Sequence, residues 1–131
     1  MIIGRRFTFS SAHNLPEHGG KCKNLHGHNY VLEVEIEGYM ANVEEGKEES
    51  GMVMDYAELD SWINKMVIDR LDHSLLNDFI SYPTAESMLI WIKEQLVNYF
   101  LKEPEPHRRL HSLKLWENER SWAKWTATPK H

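Results

Sequence analysis

Alternating apolar and polar positions predict two β-strands near the start of the chain. The first covers residues 2–13, and one of its faces carries Phe7, Phe9, Ser11 and His13. The second covers residues 28–38, and its apolar face carries Tyr30, Leu32, Val34 and Ile36. Because residues two apart lie on the same face of a strand, His26 and His28 belong to the apolar side of the second strand.

Two later segments have the apolar spacing of amphipathic helices. From Tyr56 to Leu71 the apolar positions recur at helical spacing, and they are Leu59, Trp62, Ile63, Met66 and Val67. Asp55 is available there as an N-cap or first-turn acid. The second helix begins after Pro83, with Thr84 as its N-cap and Glu86 in its first turn.

Alternation returns in residues 110–117 and 121–127 and predicts the last two strands. The predicted order is therefore β-β-α-α-β-β, which indicates an α+β fold with a four-stranded antiparallel sheet and two helices on one face. The sequence shows no repeat and no linker, so we expect one domain over residues 1–131. Such a sheet leaves two edges unpaired, and we therefore expect subunits to associate.

Composition narrows the class of protein. Hydrophobic residues make up 41% and charged residues 27%, as in ordinary globular proteins, and the net charge of −5 argues against a nucleic-acid partner. No stretch approaches the roughly 20 apolar residues of a membrane helix, and the N-terminus lacks a signal-peptide pattern. We therefore expect a cytoplasmic protein without a membrane partner. Cys22 is the one cysteine, which excludes a disulfide within the chain.

Histidines on neighbouring strands predict a metal site. His26 and His28 flank Gly27 and point to the same side, and His13 ends the first strand on the matching face. Three imidazoles with a vacant fourth position are typical of catalytic zinc, whereas structural zinc is closed by four protein ligands. The His26–His28 pair alone is equally compatible with a chance or hydrogen-bonded pair, and His13 favours metal.

Three further groups have plain interpretations that compete with functional ones. Cys22 by itself indicates a small buried hydrophobe, although its position beside the histidines weakens that interpretation. Asp72 and His73 by themselves indicate the end of the first helix and a following turn. Glu117 lies on the apolar face of its strand, where a carboxylate needs donors such as those of a ligand, unless the strand ends earlier and the face is misassigned.

Taken in order, these motifs resemble those of the 6-pyruvoyl/6-carboxytetrahydropterin synthases over nearly the whole chain. They are Phe9-Ser-Ser-Ala-His13, Cys22 with His26-Gly-His28-Asn-Tyr30, Leu71-Asp72-His73, Pro83-Thr84-Ala85-Glu86 and the late Glu117. The resemblance implies the tunnelling fold, in which β-β-α-α-β-β subunits pair their sheet edges into barrels. It also implies a homo-oligomer, commonly a hexamer built from two trimers, with the active site between subunits.

The resemblance assigns metal-binding and proton-transfer roles. The zinc ligands it implies are His13, His26 and His28. Cys22 would be the thiolate base, and Asp72 with His73 would form a proton relay. Zinc is the cofactor that the family pattern implies.

The resemblance also assigns contacts with a pterin. Glu117 would hold the pterin ring, and Thr84 and Glu86 would support the site. Two positions depart from the family pattern: Ser87-Met88 stands where Asn-Leu is frequent, and Asn118 stands where Thr is usual. Both departures concern pterin contacts and leave the metal and proton-transfer residues unchanged.

The substrate that the resemblance implies is 7,8-dihydroneopterin triphosphate, and two outcomes branch from it. One is 6-pyruvoyltetrahydropterin, which retains the side chain, and the other is 6-carboxy-5,6,7,8-tetrahydropterin with acetaldehyde and triphosphate, as in queuosine biosynthesis. Three residues separate Cys22 from His26, and this short spacing resembles the carboxy-forming members. We therefore favour the carboxy product. A non-catalytic zinc- or pterin-binding protein is the alternative from another class.

Overall fold

A five-stranded sheet lies at the centre of the computed structural model, which describes residues 1–102 and 108–129. The strands are β1 (Ile2–His13), β2 (His26–Glu37), β3 (Ser74–Leu75), β4 (Arg109–Trp116) and β5 (Trp122–Thr126). Their order across the sheet is β3-β1-β2-β4-β5. Neighbouring strands are antiparallel except for β3 and β1, which are parallel.

The prediction of a four-stranded antiparallel sheet is wrong in strand number and in direction, because β3 adds a parallel edge strand. In β3, Ser74 pairs with Ser11 and Leu75 pairs with Ala12. Two residues are too few to show an alternating pattern, so the sequence gives no signal for this strand. The sheet is therefore open and mixed, with β3 and β5 at its edges.

Both predicted helices are present. The first begins as α1 (Tyr56–Ile63), continues through a π-helical stretch (Asn64–Ile68) and ends as the short α2 (Asp69–Leu71). The second is α3 (Ala85–Leu96). Short 3-10 turns occupy Lys21–Lys23, Leu76–Asp78 and Tyr99–Lys102. Within the described residues, none of the helices has the length and apolar character needed to span a membrane.

Both long helices begin at side chains that cap them. The Asp55 carboxylate accepts the backbone N–H of Ala57 at 2.8 Å, and Oγ1 of Thr84 accepts that of Ser87 at 3.1 Å. Each bond satisfies one of the N–H groups that a helix start leaves without an intrahelical partner. The cap at Thr84 also fixes the direction of the chain directly after Pro83.

The helices pack on one face of the sheet and form a hydrophobic core with it. The sheet contributes Phe9, Tyr30, Leu32, Val34 and Leu113, and the helices contribute Leu59, Ile63, Val67, Met88 and Ile92. An irregularity in the β2–β4 pairing, next to Ile36, shifts the alternation so that Leu110 and Leu113 are both buried. One face of the sheet is thus packed, and the other is open.

Candidate active site

Pairing between β1 and β2 places three histidines at one end of the sheet. The register sets His13 opposite His26 and Ser11 opposite His28. The three imidazole centroids lie 4.6 to 5.0 Å apart, and each ring offers a nitrogen within 4.8 Å of those of the other two. His13 is fully buried, and the other two are half-buried. The histidines that the strand pattern brings together therefore form a cluster.

Hydrogen bonds to backbone carbonyls determine which ring nitrogen of His13 and of His26 presents a lone pair. Nδ1 of His13 lies 2.8 Å from the carbonyl oxygen of Pro83, and Nδ1 of His26 lies 2.6 Å from that of Asn24. A carbonyl oxygen can only accept, so both Nδ1 atoms carry the proton and both Nε2 atoms present lone pairs. These Nε2 atoms lie 3.1 Å apart. Two lone pairs at this distance repel each other unless a cation lies between them.

His28 adds a third nitrogen to the cluster. Its Nε2 atom is buried and has no hydrogen-bond partner among the described residues. Burial lowers the pKa of His13 and of His28, so both rings are neutral at neutral pH, which is the form in which imidazole binds a metal. Converging lone pairs, neutral rings and an unpartnered nitrogen fit a metal ion held by three imidazoles.

Glu117 turns its carboxylate toward the same nitrogens. It follows β4 directly, and its backbone N–H donates to the carbonyl oxygen of Ser121 at 3.0 Å in the turn that leads into β5. Oε1 of Glu117 lies 3.3 Å from Nε2 of His28 and 3.5 Å from Nε2 of His13. The side chain therefore keeps the inward direction of the apolar face, although the strand ends one residue before it.

Asp72 and His73 are held against β1 by hydrogen bonds to Ser10. Oδ1 of Asp72 accepts the N–H of Ser10 at 2.9 Å, and the N–H of His73 donates to the Ser10 carbonyl oxygen at 2.6 Å. The first of these bonds lowers the pKa of Asp72, which keeps the carboxylate ionised. Oδ2 of Asp72 lies 3.1 Å from Nδ1 of His73. An ionised carboxylate thus orients an imidazole.

The His73 side chain is accessible, and its backbone is unusual. The side chain is 83% exposed and lines a shallow depression together with Gly27 and His28. His73 has a φ of 56°, the one positive value among the described non-glycine residues. This left-handed conformation costs an L-residue about 1–2 kcal/mol, and such strain clusters at functional sites. The backbone bond to Ser10 holds it in place.

Cys22 lies in the connection between β1 and β2, within the 3-10 turn Lys21–Lys23. Its carbonyl oxygen accepts the N–H of Leu15 at 2.7 Å, which ties this turn back to the end of β1. The residue is half-buried, and its thiol is not among the ligand atoms that converge in the histidine cluster. Cys22 therefore stands outside the cluster of three histidines that could hold a metal ion.

The start of α3 supports the cluster through its backbone. Thr84 caps the helix, and the neighbouring Pro83 provides the carbonyl that holds His13. Glu86 is exposed in the first turn of the helix. Thr84 is thus connected to the cluster through the chain itself, whereas Glu86 faces solvent.

The carbonyl groups that orient the rings are a part of the site that sequence reasoning missed. Pro83 and Asn24 act through backbone oxygens, and Ser10 acts through its backbone N–H and carbonyl. Backbone groups are the same in every residue, so no residue pattern reveals them. The nearest available signal is that Asn24 precedes His26 by two residues, which is within reach of its ring.

Known proteins resemble this chain in both sequence and fold. The chain matches the family described as 6-pyruvoyl tetrahydropterin synthase over residues 2–128. It is 39% identical over 99 residues to the 6-carboxy-5,6,7,8-tetrahydropterin synthase of Synechocystis, covering 72% of this chain and 74% of that protein. It is 34% identical over 137 residues to the 6-pyruvoyl tetrahydrobiopterin synthase of Dictyostelium discoideum, covering 93% of each. The Caenorhabditis elegans 6-pyruvoyl tetrahydropterin synthase structure superposes with a TM-score of 0.77 at 27% identity, covering 98% of this chain and 96% of that one.

The open mixed sheet, the helices on one face and the likeness to the Caenorhabditis structure define a protein of the tunnelling fold. Its sequence relatives are named as synthases of both product types, so the chain is an enzyme of the lyase class. It belongs to the 6-pyruvoyl tetrahydropterin synthase family. The interpretation as a non-catalytic binding protein is therefore set aside.

Proposed function

We propose that the chain is a zinc-dependent, cytoplasmic 6-carboxy-5,6,7,8-tetrahydropterin synthase of queuosine biosynthesis. Its substrate would be 7,8-dihydroneopterin triphosphate, and its products 6-carboxy-5,6,7,8-tetrahydropterin, acetaldehyde and triphosphate. The observation that carries the proposal is the convergence of three histidine nitrogens beside an accessible His73 that an ionised Asp72 orients. A metal ligand set and an acid–base pair at one end of a sheet suit chemistry that removes and returns protons.

The three histidines, His13, His26 and His28, would hold the zinc. A zinc ion bound in this way supplies Lewis acidity, which makes protons beside the substrate's side-chain hydroxyls easier to remove. The carbonyls of Pro83 and Asn24 keep two of the rings in the tautomer that binds metal. The chain would therefore hold the three histidines in a metal-binding arrangement before the metal binds.

Cys22 and His73 would carry the protons. A cysteine acts as a base in its thiolate form, which a neighbouring cation favours. Oδ2 of Asp72 lies 3.1 Å from Nδ1 of His73. A proton kept at Nδ1 by this carboxylate would leave Nε2 of the ring free to take up or return a proton. The exposed position of His73 lets it meet a substrate that is bound against a second subunit.

Glu117 would grip the pterin ring, because a carboxylate accepts hydrogen bonds from neighbouring N–H and amino groups. Thr84 and Glu86 would support this end of the site. The departure at Asn118 has a structural reason: its Oδ1 accepts the backbone N–H groups of Arg120 and Ser121 at 2.8 and 2.9 Å. Asn118 thus stabilises the turn that carries Glu117.

The carboxy outcome cleaves the bond between the first two side-chain carbons. The first carbon stays on the ring as a carboxylate and takes its second oxygen from water, while the other two carbons leave as acetaldehyde after loss of triphosphate. The electrons released by the side chain reduce the dihydropterin ring to the tetrahydro level. The pyruvoyl outcome instead keeps all three carbons. The carboxy outcome is favoured by the spacing of Cys22 and His26 and by the Synechocystis relative. The pyruvoyl outcome is favoured by the Dictyostelium relative.

Mass spectrometry of the products formed from dihydroneopterin triphosphate by the zinc-loaded enzyme tests the proposal. We expect acetaldehyde, trapped as a hydrazone, in equal molar amount with 6-carboxytetrahydropterin. Triphosphate release with 6-pyruvoyltetrahydropterin and without acetaldehyde would establish the second candidate. The His26→Ala/His28→Ala double variant is the metal control, since it should lose the roughly one zinc per chain that three nitrogen ligands hold.

A further inference from the structure

Glu117 points its carboxylate toward two nitrogens of the histidine cluster. Its Oε1 lies 3.3 Å from Nε2 of His28 and 3.5 Å from Nε2 of His13. The approach to His28 is not a hydrogen bond, since that nitrogen has no hydrogen-bond partner in the described part of the chain. A different interaction must account for the short distances.

The lone pairs of the cluster explain why a cation is required there. His13 donates its Nδ1 proton to Pro83, so its Nε2 lone pair faces both His26 and Glu117. A carboxylate oxygen and an imidazole lone pair are both electron-rich, and their contact is unfavourable by itself. A metal ion between them reverses the sign of the interaction.

Three of the distances at this cluster match those between atoms that share one metal ion. Nitrogen and oxygen ligands at the bond lengths of tetrahedral zinc lie roughly 3.2–3.5 Å from one another. The separations of His13 from His26 and of Glu117 from His13 and His28 are 3.1, 3.5 and 3.3 Å. The carboxylate therefore stands at ligand spacing from His13 and His28, while the set of described ligand atoms that all lie within 4.8 Å of one another comprises the three histidines.

We propose that Glu117 is a displaceable metal ligand, which occupies the fourth position in the substrate-free enzyme and leaves it when substrate binds. The inference rests on the proposed metal-dependent function and deepens it. Glu117 lies just beyond β4, at the start of the turn into β5, and its side chain is 25% exposed, so it can swing away without moving the sheet. The freed carboxylate is then available to the pterin ring. Substrate binding would thus free the fourth metal position and bring the Glu117 carboxylate to the pterin ring in one movement.

Cobalt(II) substituted into the full-length protein provides the test, because its visible absorption reports the ligands directly. The variants are Glu117→Gln and Glu117→Asp, which shortens the side chain but keeps the charge. Glu119→Gln is the matched control, since Glu119 is exposed in the same turn. We expect the cobalt spectrum to change in both Glu117 variants and to stay the same in the control.

Titration with imidazole measures access to the fourth position. Imidazole is neutral, so its affinity reports displacement of a ligand and not the loss of a charge. We expect imidazole to bind about tenfold more tightly to both Glu117 variants than to the parent, the size of effect that metal-site neighbours usually have. Equal affinity and equal spectra in the parent and both variants would overturn the inference and leave the proposed function standing. A parent protein that takes up no cobalt or zinc would overturn both.

Discussion

Single residues in this site depend on backbone partners for their chemistry. The rings of His13 and His26 present their Nε2 lone pairs to the cluster because Pro83 and Asn24 accept the proton on Nδ1. The N–H of Ser10 donates to Asp72 and lowers the pKa of its carboxyl group. Substitutions at single side chains therefore test the proposed metal binding and the proposed proton transfer separately, since each function would use different atoms.

Replacement of Cys22 tests proton transfer alone. The Cys22→Ala variant should retain zinc and pterin binding, because its thiol is outside the histidine cluster. Its turnover should fall by about 10²- to 10⁴-fold, the usual contribution of a general acid or base. Single-turnover kinetics and zinc analysis of the purified variant check this. Turnover close to that of the parent, with an unchanged pH profile, would make the thiol structural.

The stability of the metal-free protein should depend on pH through two buried histidines. Burial holds the pKa of His13 and of His28 below the ordinary value of 6.5. When the pH falls below 6.5, the unfolded chain takes up protons at these rings before the folded state does, so the free energy of unfolding decreases. Urea denaturation at pH 7.5 and pH 5.5 measures the loss.

A matched pair of histidine variants identifies the source of this pH dependence. His28→Asn should reduce the loss of stability between the two pH values. His18→Asn should leave it unchanged, because His18 is exposed in the connection between β1 and β2. An equal loss in the parent and in His28→Asn would contradict the assignment.

At the scale of elements, α3 both builds the core and orients the site. Its N-cap, Thr84, adjoins the carbonyl that holds His13, so the start of the helix and the tautomer of the ring are linked. The first helix has a similar cap at Asp55, but this cap does not adjoin a carbonyl that holds one of the three histidines. The two caps therefore offer a direct comparison of structural and functional effects.

Removal of the two caps should have equal effects on stability and different effects on metal affinity. Thr84→Ala and Asp55→Ala should each lower the free energy of unfolding by about 1 kcal/mol. Thr84→Ala should also weaken zinc binding by about tenfold, since the carbonyl behind His13 loses its fixed position. Competition with a chelator measures zinc affinity. Equal zinc affinity in the two variants would show that the cap is purely structural.

The long elements were predictable because burial leaves a periodic pattern in the sequence. β1, β2 and α3 follow that pattern closely, and the same parity placed His13, His26 and His28 on one face. β3 has two residues and leaves no pattern, and the π-helical stretch Asn64–Ile68 keeps the apolar spacing of an ordinary helix. The contacts of Pro83 and Ser10 use backbone atoms, which no residue pattern encodes.

At the scale of the whole molecule, the sheet has a polar open face and two unpaired edges. On the open face, Arg6 pairs with Glu33, and Nζ of Lys114 lies 4.4 and 4.1 Å from the ring centroids of Trp116 and Trp122. These side chains satisfy one another, so the face does not require an apolar cover. The exposed backbone groups at the edges can pair with a strand of another subunit, which favours assembly through β3 and β5.

Assembly should be visible in solution and in catalysis. Sedimentation should show a homo-oligomer, with a hexamer of two trimers as the expected form. If each site takes Cys22 from one subunit and His73 from another, mixing inactive Cys22→Ala and His73→Asn proteins should restore part of the activity. Each variant mixed with itself is the control. A monomer that keeps full activity would contradict the prediction.

The left-handed backbone at His73 links two properties that evolution can separate. The turn at this residue sends the chain into β3, so the same position shapes the sheet edge and presents the imidazole. Glycine and asparagine adopt this conformation readily, whereas β-branched residues do not. A descendant that lost the chemistry could therefore carry glycine or asparagine here and still assemble. Drift at this position would leave a protein that keeps the fold of the enzyme and has lost its turnover.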